Sequence, residues 1–136
     1  MNNGLSAIDI SASGLAAERL RMETTANNIA NANTMLTETG LPFRRMQVIL
    51  GSAQDTNNGG VKVLRIEQDD TPLEWIHNPG HPNANEEGYV QSTNVKIPHE
   101  MIDLISASRS YEANLRSITL YKEMVEQTLS LLNGGR

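Results

Sequence analysis

Cysteine is absent from the 136-residue sequence, which excludes disulfides and thiolate metal sites and is compatible with life outside the cytoplasm. Aromatic residues are scarce at 4%, with one Trp and one Phe, so a compact monomer would have a thin core. No run of 18 apolar residues exists, and nothing is expected to span a membrane. The first twenty residues lack a basic start followed by an apolar block, because Asp9 and several serines interrupt it; no Sec-type signal peptide is expected. Blocks of one charge sign are also missing. The net charge is −5, with acidic and basic residues read as interspersed, which argues against nucleic acid or an anionic membrane as partner. On composition alone the chain defaults to the cytoplasm.

What the sequence does contain is a long periodic run near its C-terminus. From about His99 to Leu132, apolar or small residues fall at Met101, Leu104, Ser108, Tyr111, Leu115, Ile118, Val125, Leu129 and Leu132, interrupted only by Lys122. Alternating steps of three and four keep one stripe on one side of a helix. The spacing predicts a helix of roughly 50 Å that faces a partner of similar length. Pro98 suits its first turn, Glu100 and Asp103 place negative charge at the positive end of its dipole, and Asn133, Gly134 and Gly135 supply residues that tolerate a left-handed cap.

A second heptad pattern runs from about Gly4 to Asn31, through Leu5, Ile8, Ala12, Leu15, Met22, Ala26 and Ile29, with Arg19 as the polar interruption. The two chain ends therefore predict a coiled-coil-like pair. Between Gly4 and Ala17, nine of fourteen residues are Gly, Ser or Ala. Such a segment is marginal as a free helix, yet small residues let neighbours approach on several sides. Two readings follow: a frayed terminus, or packing in an assembly. Asn27 and Asn31 share a face outside the stripe. They are read as solvated or helix-terminating, or as meeting a neighbouring subunit.

Between the helices the period changes. Thr34 to Leu41 reads as a polar linker, and Met46, Val48 and Leu50 then alternate with Arg45, Gln47 and Ile49. A turn at Asp55 to Gly60, with the Asn58-Gly59 pair, leads into Val61 to Ile66; Leu73 to His77 and Tyr89 to Val95 supply further short strands. The fold class is thus α+β, with a small β-rich module of low independent stability inserted between two long terminal helices.

Catalytic chemistry is not evident. His77 and His81 have the spacing of some metal ligands, but Pro79-Gly80 between them breaks any helix that would align them. Asp69-Asp70 and Glu86-Glu87 are adjacent pairs whose members point to opposite sides in extended chain, which suits solvent. Arg44 and Arg45 are too few for a nucleic-acid patch. No enzyme, metal or cofactor is expected.

Several motifs in order carry a resemblance. The Ala26-Asn27-Asn28-Ile29-Ala30-Asn31 segment looks like the N-terminal signature of flagellar rod and hook subunits. Gly59 to Val63, and Asn78-Pro79-Gly80-His81-Pro82 followed by Asn85, Gly88, Tyr89 and Val90, look like the family's inserted module. Ser110-Tyr111-Glu112-Ala113-Asn114 matches the motif of its C-terminal helix. Over essentially its whole length the chain resembles the bacterial flagellar axial proteins, in particular those of the proximal rod. Thr34 leads into Met35 to Leu41 before Pro42, where most rod and hook subunits run directly into Thr-Pro-Gly-Tyr; this departure counts against the FlgB, FlgF and FlgG types.

The resemblance implies a structural, non-catalytic subunit that polymerises helically in the basal body and transmits torque across the periplasm. It overrides the cytoplasmic default and implies export through the flagellar type III apparatus without a cleaved signal. It implies an inner helical assembly domain of residues 1–33 and 98–136, with residues 34–97 as linker and outer β-rich domain. The two helical stripes, with Asn114, would form the assembly seam, and Asn27, Asn28 and Asn31 the family motif. Implied partners are copies of the chain itself, FlgB, FlgF, FlgG and the adapter FliE, with no nucleic acid and no direct membrane insertion. The alternatives are another axial subunit, which the 34–41 insertion discriminates, and a soluble coiled-coil adaptor, which would be a stable homodimer.

Overall fold

A computed structural model describes residues 3–53 and 59–134, with side chains of the first helix described from Ala7 onward. Helix α1 spans Asn3–Ala30 and helix α2 spans Ile97–Asn133. Between them lie strands β1 (Met46–Ser52), β2 (Val61–Gln68), β3 (Trp75–His77) and β4 (Tyr89–Gln91). This is the expected α+β arrangement. Leu5 lies outside the described side chains, and Asn58 of the expected turn lies outside the described residues.

The helices pair antiparallel. Asn28 meets Glu100, Gly14 lies against Asn114, and Ile8 and Ser11 line one groove with Ile118 and Tyr121, so positions rise along one helix as they fall along the other. The approach at Gly14 is close: a Cβ there would come within 2.7 Å of Asn114 Nδ2. Glycine in mid-helix costs about 1 kcal/mol against alanine, and here that cost admits the facing amide.

The inner contact differs from the predicted stripes. On α1 the buried positions are Gly14, Ala17, Thr25 and Asn28, whereas Ala12 and Ala26 are exposed and Ile8, Leu15, Met22 and Ile29 are half-buried. On α2, Glu100 and Ala107 are buried and Leu104, Tyr111, Asn114, Ile118 and Tyr121 are half-buried. The inner series steps by four and three through Glu100, Leu104, Ala107, Tyr111, Asn114, Ile118 and Tyr121: Leu104, Tyr111 and Ile118 are expected positions, whereas Glu100, Ala107 and Asn114 stand one residue before the expected Met101, Ser108 and Leu115. Where the helices approach closely, at Gly14 and Asn114, small and polar groups fill the seam, and apart from Leu104 and Ile118 the large aliphatic groups of α2 are exposed. That offset also accounts for Lys122, whose neighbour Tyr121 faces inward.

At its start α2 has Pro98 in the first turn, and the Glu100 N–H closes on the Lys96 carbonyl at 3.1 Å. At its end the left-handed conformation that Asn133, Gly134 and Gly135 tolerate is not used by Gly134. Gly134 is right-handed (φ −85°, ψ −3°) and simply continues the pattern with an N–H bond to Ser130 O; Gly135 lies outside the described residues.

The middle module is two separate two-stranded sheets. β1 and β2 pair antiparallel from Met46↔Gln68 to Ser52↔Val61, with a bulge that leaves Leu64 unpaired beside Gly51. This hairpin packs on α1, where Ser13 Oγ accepts the Val61 N–H at 3.1 Å. β3 and β4 pair as Trp75↔Gln91, Ile76↔Val90 and His77↔Tyr89. Residues 34–43 form a closed loop, tied by Phe43 N–H to Thr34 O and by Thr37 N–H to Leu41 O, both 2.9 Å.

The core is as thin as the composition implies. Among the described residues the buried apolar side chains are Ala17, Ala32, Pro42, Val90 and Ala107, and the largest fully buried side chains are Asn28 and Glu100. The accessible surface is 9830 Å², against about 7,000 Å² for a compact monomer of this mass.

Candidate functional site

The feature that joins module to helices is a polar junction at the inner end of the pair. Its centre is Asn28, 1% exposed and in the last turns of α1. Its Nδ2 donates to Met46 O at 2.8 Å and to Glu100 Oε2 at 3.0 Å, while its Oδ1 accepts the Met46 N–H at 2.9 Å. One amide thus satisfies both backbone groups at the first residue of β1 and one oxygen of a buried carboxylate.

Arg45 supplies the other side. Its guanidinium donates through Nε to Glu100 Oε1, and at 3.3 Å to Asp69 Oδ2 and 3.1 Å to Asp103 Oδ2. Its backbone N–H donates to Asn94 Oδ1 at 2.6 Å, and Asn94 Nδ2 returns to the Asp69 and Thr71 carbonyls at 3.0 and 3.2 Å. Thr93 Oγ1 donates to Ala32 O at 2.6 Å. Burial opposes the arginine's charge, but the hydrogen bond and charge of Glu100, together with Asp103 and Asp69, outweigh it and raise its pKa above the ordinary value. Asp69 titrates below the ordinary carboxylate range, chiefly because the Thr71 hydroxyl and N–H donate to it, with Arg45 adding to the effect.

The sequence pointed to helix dipole roles for Glu100 and Asp103, and to solvent for Asp69. The junction is a correction: all three carboxylates converge on Arg45. An arginine before a strand and a glutamate in a helix's first turn are each ordinary in sequence, and nothing in spacing joins positions 55 residues apart. Asn28 carries the junction, whereas Asn31 Nδ2 folds back on Asn27 O and Oδ1 at 2.9 and 3.0 Å and ends the helix.

Away from the junction, α2 turns a large apolar surface to solvent. Met101, Leu115, Val125, Leu129 and Leu132 of the predicted stripe are exposed, as are Ile102, Ile105, Leu120, Met124 and Leu131. Near the far end of the pair, an apolar groove of about 300 Å³ opens between Ile8 and Ser11 on α1 and Ile118, Tyr121 and Met124 on α2. No helix among the described residues is long and apolar enough to cross a membrane.

The motif between β3 and β4 is a tight loop. Asn85 Oδ1 accepts the Glu87 and Tyr89 N–H groups at 3.1 and 2.8 Å. Gly88 has φ +79°, and a Cβ there would lie 3.0 Å from Pro79 and 3.3 Å from His77 Nε2. His81 Nδ1 accepts the Asn83 N–H at 3.1 Å, and the His77 ring meets Tyr89 edge-on at 5.0 Å. Among the described residues no three His, Cys, Asp or Glu side chains are placed to hold a metal ion.

Known proteins match this chain along both helices and the module. Residues 8–35 match the family model described as flagella basal body rod protein, and residues 86–131 match the one described as flagellar basal body rod FlgEFG protein C-terminal. The flagellar basal-body rod protein FlgC of Borreliella burgdorferi is 38% identical, covering 95% of this chain and 97% of its own. FlgC of Salmonella typhimurium is 38% identical over 93% of this chain and 96% of its own. FlgC of Aquifex aeolicus is 39% identical over 90% and 92%.

Proposed function

Since this chain belongs to the FlgC family of flagellar basal-body rod proteins and is thus a structural subunit of the rod, we propose that it sits in the proximal rod. There it stacks helically with copies of itself and with other rod subunits, and carries torque across the periplasm without catalysing a reaction. The observation that carries this reading is the division of labour along α2. Its inner side meets α1 through Glu100, Ala107 and Asn114 together with Leu104, Tyr111, Ile118 and Tyr121, while the other large aliphatic side chains along its 37 residues are exposed. Burying those side chains is worth about 25 cal/mol per Å², a gain the isolated chain forgoes and an assembly collects.

On this reading residues 1–33 and 98–136 form the inner assembly domain and residues 34–97 the outer one. FlgB and FlgF, with FlgG further along, are the neighbouring subunits, and FliE is the adapter at the base. The marginal helix pair suits passage through the flagellar type III apparatus in a loosely folded state, with order completed on assembly. The test is replacement. In a bacterium whose own FlgC gene is deleted, the chain should restore swimming and be recovered by mass spectrometry in purified basal bodies. Its absence from basal bodies of an expressing strain would overturn the assignment.

A further inference from the structure

The charges are less evenly spread than the whole sequence suggests. Residues 66–95 hold six carboxylates and no Lys or Arg. β3 and β4 lie in this segment, and strand pairing puts Trp75, His77 and Tyr89 on one face of their small sheet. Trp75 is 58% exposed, and Tyr89 and His77 are also exposed. Glu86 and Glu87 lead directly into Tyr89, and neither forms an ion pair among the described residues. The lobe is therefore an open aromatic platform in an acidic setting.

A complementary surface exists elsewhere on the same chain. Along α2, Ile102, Ile105, Arg109, Ala113, Arg116 and Leu120 follow one another in steps of three and four, so they share one side of the helix. All six are exposed. Glu112 borders this stripe at helical spacing from both arginines, but among the described residues neither arginine forms an ion pair with it or with any other carboxylate. Guanidinium groups stack on Trp and Tyr faces, and flanking carboxylates add Coulomb attraction. Ile102, Ile105 and Leu120 offer apolar area to the ring surface that the guanidinium groups leave uncovered.

We propose that the β3–β4 lobe of one copy docks on the Arg109–Arg116 stripe of the next copy. The inference rests on the rod assignment and goes beyond it by naming the contact. Lobe and stripe are different surfaces, so the contact is heterologous: each copy keeps a free lobe at one end and a free stripe at the other. Repetition of such a contact builds an open helical array where the rotation does not close.

The absence of cysteine makes the test clean. Purified full-length chain carrying both His77→Cys and Ala113→Cys is oxidised at high concentration, and recovery in basal bodies is read separately. A ladder of disulfide-linked species is expected from the double variant and none from either single variant. Adding Glu86→Arg and Glu87→Arg should lower the yield roughly tenfold, and Arg109→Glu with Arg116→Glu should then restore it. No ladder, linkage by a single variant, charge reversals without effect, or linkage of His77→Cys to another protein would each overturn the contact. Recovery from basal bodies without a ladder overturns the contact alone; a ladder without recovery overturns the rod assignment alone.

Discussion

Asn28 has partners 18 and 72 residues away, one a backbone peptide and the other a buried carboxylate. Asn28→Ala removes three hydrogen bonds and strands buried groups on both sides, so it should lower unfolding free energy by about 3 kcal/mol. Chemical denaturation checks this, and a loss under 1 kcal/mol would mean that water replaces the amide. Asp69 makes a prediction about pH. Its folded pKa is depressed, so its contribution is fully present above the unfolded value, about 3.9, and fades as pH falls through the folded one. Melting temperature should fall between pH 5 and pH 2, and Asp69→Asn should flatten part of that slope. Arg45 adds no slope in this range, because its raised pKa keeps it charged throughout. None of this was legible from spacing. Periodicity marks which side of a helix a residue occupies, and Asn28 stood only as one amide among three.

At the scale of elements, both helices, the change of period between them and the strands were legible, because long periodic runs and a helix-breaking insertion leave strong signals. The register of the pair was not. Leu115 and Ile118 both belonged to the expected stripe, yet Leu115 is 48% exposed and Ile118 lines the groove against α1. The two therefore separate folding from assembly. Leu115→Asp should leave the chain's own stability within about 0.5 kcal/mol of the parent, as surface changes do. We expect it nevertheless to abolish swimming in the replacement strain. Ile118→Asp places a charge at the pair and should cost stability as well. Thermal melts beside motility plates decide the matter; a motile Leu115→Asp strain would remove the assembly role of that face. A heptad count could not separate the two positions, because the narrow seam selects size and polarity as much as hydrophobicity.

Taken whole, the molecule is unevenly held. The junction knits α1, β1, the 93–94 segment and α2 together, whereas beyond Tyr121 every described residue of α2 is exposed. Local opening should therefore be cheapest at the far end of the helix pair. Limited proteolysis of the free chain should cut first C-terminal to Tyr121 and leave a fragment containing the 28–100 junction. Resistance of the whole chain would mean that the pair is already complete without neighbours. The thin core was legible from the shortage of aromatics, but the place where stability concentrates was not, since it is built from polar groups that composition counts as surface.

The position of that junction has a mechanical consequence. The β module is rooted on the helix pair by Arg45, by Asn28 and by the Thr93 hydroxyl, at sites on both connecting segments. A body fastened through one strand can swivel; one fastened on both its entering and leaving strands cannot turn without breaking several bonds together. A twisting load on the β module therefore reaches both helices with little backlash, and a joint without slack wastes no rotation when the direction of turning reverses.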